Sequence, residues 1–288
     1  MTVEVVPAAS LEEAVATLVE GEGRARVVGG GVALALRMRL GEPAPERVVS
    51  LRDVPGLEQI DVSQEQLSIG CRVTFRTIAT SEVVRSVAPA LAQMCKAIGN
   101  TRVRNVATLA GNLAEADHAS DPPTLLICLD AACTIEGPSG TRIIPVAGLI
   151  KGPRRTSLSF ADIISAVHVP LRRERRTAYV RYLSRSSQDA PCVVVAAGAV
   201  AKHDGVEDLQ IVIGATSHKP VVPREAAKAA EGRALDDRTI AEVAESCADS
   251  VDTIDDLRGS SWYRREMVRV LTRRALVEVA QTRPPGGA

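Results

Sequence analysis

Residues able to hold a polar ligand are concentrated in one stretch, Ile98 to Pro123, which reads IGNTRVRNVATLAGNLAEADHASDPP. It carries Gly99 and Gly111, the amides Asn100, Asn105 and Asn112, Arg102 and Arg104, and Asp117 and Asp121, with few large apolar side chains. Gly111 beside Thr108 and Asn112 offers backbone N–H, hydroxyl and amide donors to an anion, and an aspartate such as Asp121 accepts bonds from sugar hydroxyls. The chemistry on offer is ligand holding. The stretch lacks strand alternation and a long amphipathic helix, so it is expected to be a long irregular segment kept for function rather than for the core.

A second glycine feature lies upstream. Val3 to Val6 suits a strand, and Ser10 and Glu13 have capping-box spacing for a helix with Leu11, Ala14, Val15, Leu18 and Val19 on one face. Ala25 to Val28 then reads as a buried strand running into Gly29-Gly30-Gly31, followed by a helix over VALALRMRL and a strand over RVVSL. With no Cβ in the way, such a loop lets backbone N–H groups approach an anion closely. It equally suits a plain tight turn, and neither a P-loop lysine nor GxGxxG spacing is present. Arg37 and Arg39 either add positive potential near a phosphate or form a solvated helix face. Two glycine loops can clamp one diphosphate; the competing reading is structural turns with helix-capping aspartates.

The elements that must position these loops follow from periodicity. LSIGCRVTF is strand-like, Thr74 can cap a short helix, and Pro89 to Ile98 fits an amphipathic one. Cys192 to Ala201 is an apolar strand ending in the hairpin signal His203-Asp-Gly205, answered by Leu209 to Ile213. REAAKAAEGRAL and Thr239 to Ser250 read as helices. The last helix, Ser261 to Ala280, places Trp262, Met267, Val270, Leu271 and Leu276 on one side and arginines on the other.

The 288 residues suit about two domains. Lys plus Arg and Asp plus Glu are equal at 35 each, so net charge implies no polyanion partner, and the arginines of the last helix read as solvated or partner-facing rather than as a nucleic-acid surface. The six cysteines form no CxxC pair and lie in apolar surroundings, as buried free thiols do, so neither a metal site nor an iron–sulfur site is expected. His168, His203 and His218 are isolated and read as structural or surface residues. With no signal peptide and no membrane-length apolar run, the expectation is a cytoplasmic chain with no membrane insertion.

The order VVGGG…LRMRLGEPAPERVVSLRDVPGLEQI, then IGNTRVRNVATLAGNLAEADHASDPP, resembles the FAD-binding medium subunit of molybdenum hydroxylases, the family of the carbon monoxide dehydrogenase medium subunit and the xanthine dehydrogenase FAD domain. The likeness continues through GPRRTSL, IISAVHVP, YVRYLSRSSQDAPCVVVAAGAV and GSSWYRREMVRVLTRRAL, nearly the whole chain. It implies an α+β chain: an FAD-binding domain at 1–172 made of two α/β subdomains, about 1–56 and 57–172, of the vanillyl-alcohol-oxidase and p-cresol-methylhydroxylase type. A smaller C-terminal domain at 177–288, with a three-stranded antiparallel sheet and helices, would follow. By the resemblance, Val28, Gly29, Gly30, Gly31, Val32 and Ala33 form the first pyrophosphate loop, and Thr108, Leu109, Ala110, Gly111 and Asn112 the second. Asp121 contacts a flavin-side or ribose hydroxyl, Asp117 is a further cofactor-binding residue, and Arg181 takes the place of a lysine near the isoalloxazine ring.

The resemblance implies FAD as the cofactor and no catalytic side chain, because the flavin carries the redox chemistry. The expected role is an electron-transfer subunit of an FAD-dependent dehydrogenase. Electrons would come from a molybdopterin-binding large subunit through a 2Fe-2S small subunit and leave to NAD, a quinone or oxygen. The alternatives are a flavin-free scaffold with the same fold, and a stand-alone flavoenzyme like the cell-wall enolpyruvyl reductases. Three departures from the family pattern stand out. Gly31-Val32-Ala33 supplies no side-chain donor, and a lost hydroxyl bond to a diphosphate is worth about 1.5–3 kcal/mol. Ala110 replaces a glycine, which would strain the loop if φ there must be positive. His118 replaces a proline.

Overall fold

The computed structural model describes residues 3–202 and 205–281. The chain opens with β1 (Glu4–Pro7), α1 (Leu11–Glu20), β2 (Ala25–Val28), α2 (Val32–Arg39) and β3 (Arg47–Ser50). These strands form a parallel sheet in the order β1-β3-β2, with the buried Val49 on the central strand. Ser10 caps α1 through the Glu13 N–H, and Glu13 returns its carboxylate to the Ala9 N–H, so the capping-box spacing is used.

A second unit follows: β4 (Ile60–Val62), β5 (Gln66–Gly70), then the short helices α3 (Phe75–Thr80), α4 (Glu82–Val87), α5 (Pro89–Ala97), α6 (Thr101–Arg104), α7 (Leu109–Glu115) and α8 (Pro122–Cys128). It continues with β6 (Ala132–Gly137), β7 (Gly140–Pro145), α9 (Val146–Leu149), the small hairpin β8 (Ile150–Gly152) and β9 (Arg155–Thr156), and β10 (Ile163–Pro170). Five strands make an antiparallel sheet, β4-β5-β10-β6-β7. The stretch 98–123 is therefore not irregular, as its composition suggested. Asn100 caps α6, Thr108 caps α7, and Pro122 stands at the first position of α8, so two polar side chains and a proline that break long periodicity start three short helices instead.

The third unit contains β11 (Arg175–Tyr182), β12 (Val193–Lys202), β13 (Gly205–Gly214), α10 (Arg224–Lys228), α11 (Asp237–Asp249) and α12 (Ser261–Gln281). Its three strands form an antiparallel sheet with β12 in the middle, the C-terminal sheet expected from the family likeness. Lys202 pairs with Gly205, while His203 and Asp204 of the hairpin signal lie outside the described residues. From Val193 to Ala199 β12 is apolar because both its faces are covered. Val194 and Ala196 join the core of the first two units, whereas Val193, Val195 and Ala197 join a second core under α11 and α12.

Two helical expectations need correction. α10 stops at Lys228, well short of the REAAKAAEGRAL span, where Gly232 takes a φ of 71°. On α12, Leu271 and Leu276 are buried as expected, but Trp262 is 71% exposed and Val270 faces solvent; the buried stripe is Arg264, Val268, Leu271, Thr272, Ala275, Leu276 and Val279. Arg264 is fully buried because Asp256 meets it. Asp256 accepts from Arg264 Nη2 at 2.5 Å, from the Arg258 N–H at 2.7 Å and from Arg258 Nη1 at 3.0 Å. A buried cation with its counter-charge satisfied is tolerated, and one stripped of it is not.

All six cysteines are unpaired and buried, and burial pushes the thiols of Cys71, Cys128, Cys133 and Cys247 up to about 12. His168 is structural as expected: on β10 its ring meets Thr134 Oγ1 at 2.7 Å and Ser68 Oγ at 3.0 Å. Among the described residues no helix is long and apolar enough to cross a membrane.

Asp256→Asn strips Arg264 of its counter-charge and should lower unfolding stability by about 3 kcal/mol, read as a fall in the urea midpoint. Burial raises the Asp256 pKa, but the Arg258 N–H and the Arg264 and Arg258 guanidinium groups outweigh it and hold the carboxyl at about 2, below its ordinary 3.8. Its stabilising contribution is thus complete above roughly pH 4 and vanishes as pH falls through about 2, so acid titration of wild type and Asp256→Asn should converge there.

Candidate functional site

The two glycine loops meet. A Cβ on Gly30 would lie 1.9 Å from the Val106 carbonyl oxygen and 3.0 Å from Ala107 Cα, and one on Gly29 would lie 3.0 Å from Thr108 Oγ1. No side chain fits at Gly30, so the backbone of the first loop rests on the backbone of the second. The second loop is itself anchored: Phe75 N–H donates to Ala107 O at 2.9 Å, and Thr108 bridges Thr74.

Each loop ends in the first turn of a helix. Gly31 is the N-cap of α2 in the left-handed region (φ 71°), a conformation open to glycine, and no side chain caps that helix. The N–H groups of Val32 and Ala33 consequently have no acceptor among the described residues. On the other side, Thr108 Oγ1 accepts from the Gly111 N–H at 3.1 Å, leaving those of Leu109 and Ala110 without an acceptor. Gly111 thus serves α7 through its cap, and its own N–H is not free for a ligand as the sequence suggested. Ala110 has no positive φ; it is an ordinary helical residue, 4% exposed, and the strain anticipated there does not arise. Asn112 Oδ1 accepts from Ser120 Oγ at 2.6 Å, which leaves its amide nitrogen as the available donor.

The segment that carries the second loop is basic. Between Glu82 and Glu115 it has no Asp or Glu and contains Arg85, Lys96, Arg102 and Arg104, of which Arg85 lies 4.0 Å from Glu82. Arg104 is fixed by the carbonyls of Ile98 and Gly99, both at 2.9 Å, and Arg76 reaches Asn105 Oδ1 at 3.4 Å, so no carboxylate neutralises either. Of the two readings open for Arg37, a free charge adding to a phosphate site or a helix-face residue, the structure has Glu42 and Glu115 holding it.

A second locus joins two other candidates, Asp121 and Arg181. Asp121, 5% exposed, accepts a hydrogen bond from the Tyr179 hydroxyl, and Arg181 Nε lies 3.4 Å from the same carboxylate oxygen. Arg181 Nη1 and Nη2 donate to the carbonyls of Ala97 and Asp189 at 2.6 and 3.1 Å. Burial raises the Asp121 pKa, opposed by the Arg181 charge and the Tyr179 hydrogen bond; burial and the Asp121 charge push Tyr179 well above its ordinary range. Asp117 stands apart, exposed, accepting from the Ala119 N–H at 3.0 Å and 3.5 Å from His118 Nδ1. His118 in turn lies 3.8 Å from Asp256, so the residue in the place of a proline reaches the third unit.

Tyr179 was absent from the sequence-derived site, as was the packing of Gly30 on Val106. The spacing Tyr179-Val-Arg181 carried a signal: alternate strand residues share a face, and Arg181 was already a candidate.

Residues 1–172 match the profile of the FAD binding domain in molybdopterin dehydrogenase, and residues 178–279 that of the CO dehydrogenase flavoprotein C-terminal domain. The chain is 31% identical to the glyceraldehyde dehydrogenase medium chain of Sulfolobus acidocaldarius, over 96% of this chain and 97% of the relative. Identity to the nicotine 6-hydroxylase medium subunit of Paenarthrobacter nicotinovorans is 30%, over 94% of each. Among solved structures, carbon monoxide dehydrogenase from Hydrogenophaga pseudoflava superposes with a TM-score of 0.93 at 26% identity, covering 97% of both chains. Quinoline 2-oxidoreductase from Pseudomonas putida gives 0.92 at 27%, covering 98% of both.

Two substitutions test the loop geometry through stability alone. Gly30→Ala must push the loops apart and should lower stability by at least about 2 kcal/mol in a urea melt. Ala110→Gly, which would relieve a strained position, should instead lower stability by about 0.5–1 kcal/mol because the residue is helical.

Proposed function

We propose a function for this chain from one premise: it belongs to the FAD-binding medium-subunit family of molybdenum hydroxylases. It is an FAD-binding electron-transfer subunit of a dehydrogenase, passing electrons from iron–sulfur clusters to an external acceptor. The observation that carries this reading is the seating of Gly29 and Gly30 on Val106 to Thr108. It brings together two helix first turns whose N–H groups lack partners, a donor set that fits a diphosphate.

In this reading Gly29 to Ala33 hold one side of the pyrophosphate and Thr108 to Asn112 the other. The N–H groups of Val32, Ala33, Leu109 and Ala110 act as donors, with the Asn112 amide nitrogen beside them. Asp121 serves a flavin-side or ribose hydroxyl, and Asp117 is a further cofactor contact. Asp121 is oriented by Tyr179, and Arg181 lies next to it toward the flavin end. Bound FAD supplies the redox chemistry; the chain binds and orients it. The missing side-chain donor in the first loop does not remove the backbone donors, which supports a flavin-binding subunit over a flavin-free scaffold.

The same reading takes 1–172 as the cofactor domain and 177–288 as the C-terminal domain. As a medium subunit the chain works in a complex with large and small partners. We assign the molybdopterin to the large partner and a 2Fe-2S cluster to the small one, with NAD, a quinone or oxygen as the final acceptor. Six unpaired buried cysteines support a reducing compartment, the cytoplasm.

Mixing the purified chain with FAD should shift the flavin absorbance bands and change flavin fluorescence, with a measurable Kd. Thr108→Ala, which removes the cap of α7 and frees its first turn, should weaken that Kd about fivefold. A spectrum identical to that of free FAD would sink the assignment.

A further inference from the structure

Away from the loops, four side chains close a ring of alternating charge. Arg37 near the end of α2 lies 2.8 Å from Glu42 and 3.4 Å from Glu115, the last residue of α7. Arg154, in the turn between β8 and β9, lies 2.5 Å from Glu42 and 3.9 Å from Glu115. Each carboxylate touches both guanidinium groups, and the ring is neutral. The Glu115 side chain is only 19% exposed.

The backbone at the ring is equally constrained. The Arg154 N–H donates to Ala116 O at 2.8 Å, and both residues sit in the left-handed region, with φ of 54° and 49°. Non-glycine residues persist there only where the surroundings over-determine them. Arg154 belongs to GPRRTSL, a segment for which the binding site itself has no use.

The ring sits at the ends of α2 and α7 remote from the glycine loops, whereas Gly29 and Gly30 join the two helices at their starts. Helices fastened at both ends cannot turn their first N–H groups away from each other. We propose that Arg37, Glu42, Glu115 and Arg154 are positioning residues that set the spacing of the two pyrophosphate loops. This rests on the FAD reading of those loops. It matters most for the first loop, where Val32 and Ala33 offer backbone N–H groups alone and affinity depends on their aim.

The test is FAD titration of the full chain, followed by flavin fluorescence, at low salt and in about 1 M NaCl. Glu115→Gln and Arg154→Gln should each weaken FAD binding about 3–10-fold at low salt. The double variant should be little worse than the weaker single, because the two residues act through one ring. The difference from wild type should shrink in high salt, where partly exposed pairs are screened, and the melting temperature of the FAD-free chain should move by less than about 4 °C. Arg269→Gln on α12, which breaks the ion pair with Glu245 of α11, should leave FAD affinity unchanged. Wild-type affinity in both single variants overturns the positioning role while leaving FAD binding intact. A wild-type chain that does not bind FAD overturns the cofactor reading and the ring's role with it.

Discussion

The close approach of Gly30 to the carbonyl of Val106 is the constraint on which the rest of the site depends. Two chain segments separated by more than seventy residues touch there through backbone, with no room for a methyl group between them. That contact presents the first turns of α2 and α7 from two different sheets as one donor surface. It also explains why the first loop works with residues as plain as Gly31, Val32 and Ala33. When donors are peptide N–H groups, the side chains need only stay out of the way.

The second unit is fitted to the third by a different kind of contact. α8 has every residue buried, and Thr124 lies against Gly214 of β13 so closely that a Cβ there would be 1.8 Å from its hydroxyl oxygen. At the start of this helix, Asp121 meets Tyr179 and Arg181 from β11, a charged pair and a phenol in a largely dry seam. Buried charges are tolerated here because each has a partner: Arg181 spends two of its nitrogens on backbone carbonyls, and Asp121 takes the tyrosine proton donor. The same logic governs Arg264 and Asp256, whose loop reaches back toward His118. The cofactor unit and the C-terminal unit are thus coupled through polar contacts at both ends of the Asp117 to Asp121 turn.

Much of this was legible in the sequence, and the limits are instructive. The polar stretch from Ile98 to Pro123 was recognisable as a ligand-holding segment from its residue types, and its likeness to a known family named the ligand. Its helicity was hidden because Asn100, Thr108 and Pro122 end one short helix pattern and begin another before periodicity can build up. The apolar stripe of α12 was misjudged at Trp262 and Val270 for a related reason. Hydrophobicity alone ranks tryptophan above arginine for burial, and only a facing carboxylate reverses that order at Arg264.

By itself the sequence determined the strand–helix–strand–helix–strand order of the first unit, the two glycine loops and the apolar central strand of the C-terminal sheet, and its motifs carried the family likeness from which the α+β class followed. These depend on local spacing and composition, which a linear chain displays in full. Tertiary structure alone decided that Gly30 rests on Val106, that Thr108 consumes the Gly111 N–H, that Asp121 is claimed by Tyr179, and that Arg37 is neutralised by Glu42 and Glu115 instead of facing a phosphate. Each of these is a pairing between distant residues, and a donor, acceptor or charge has no fixed role until the fold settles which partner stands within about 3 Å of it.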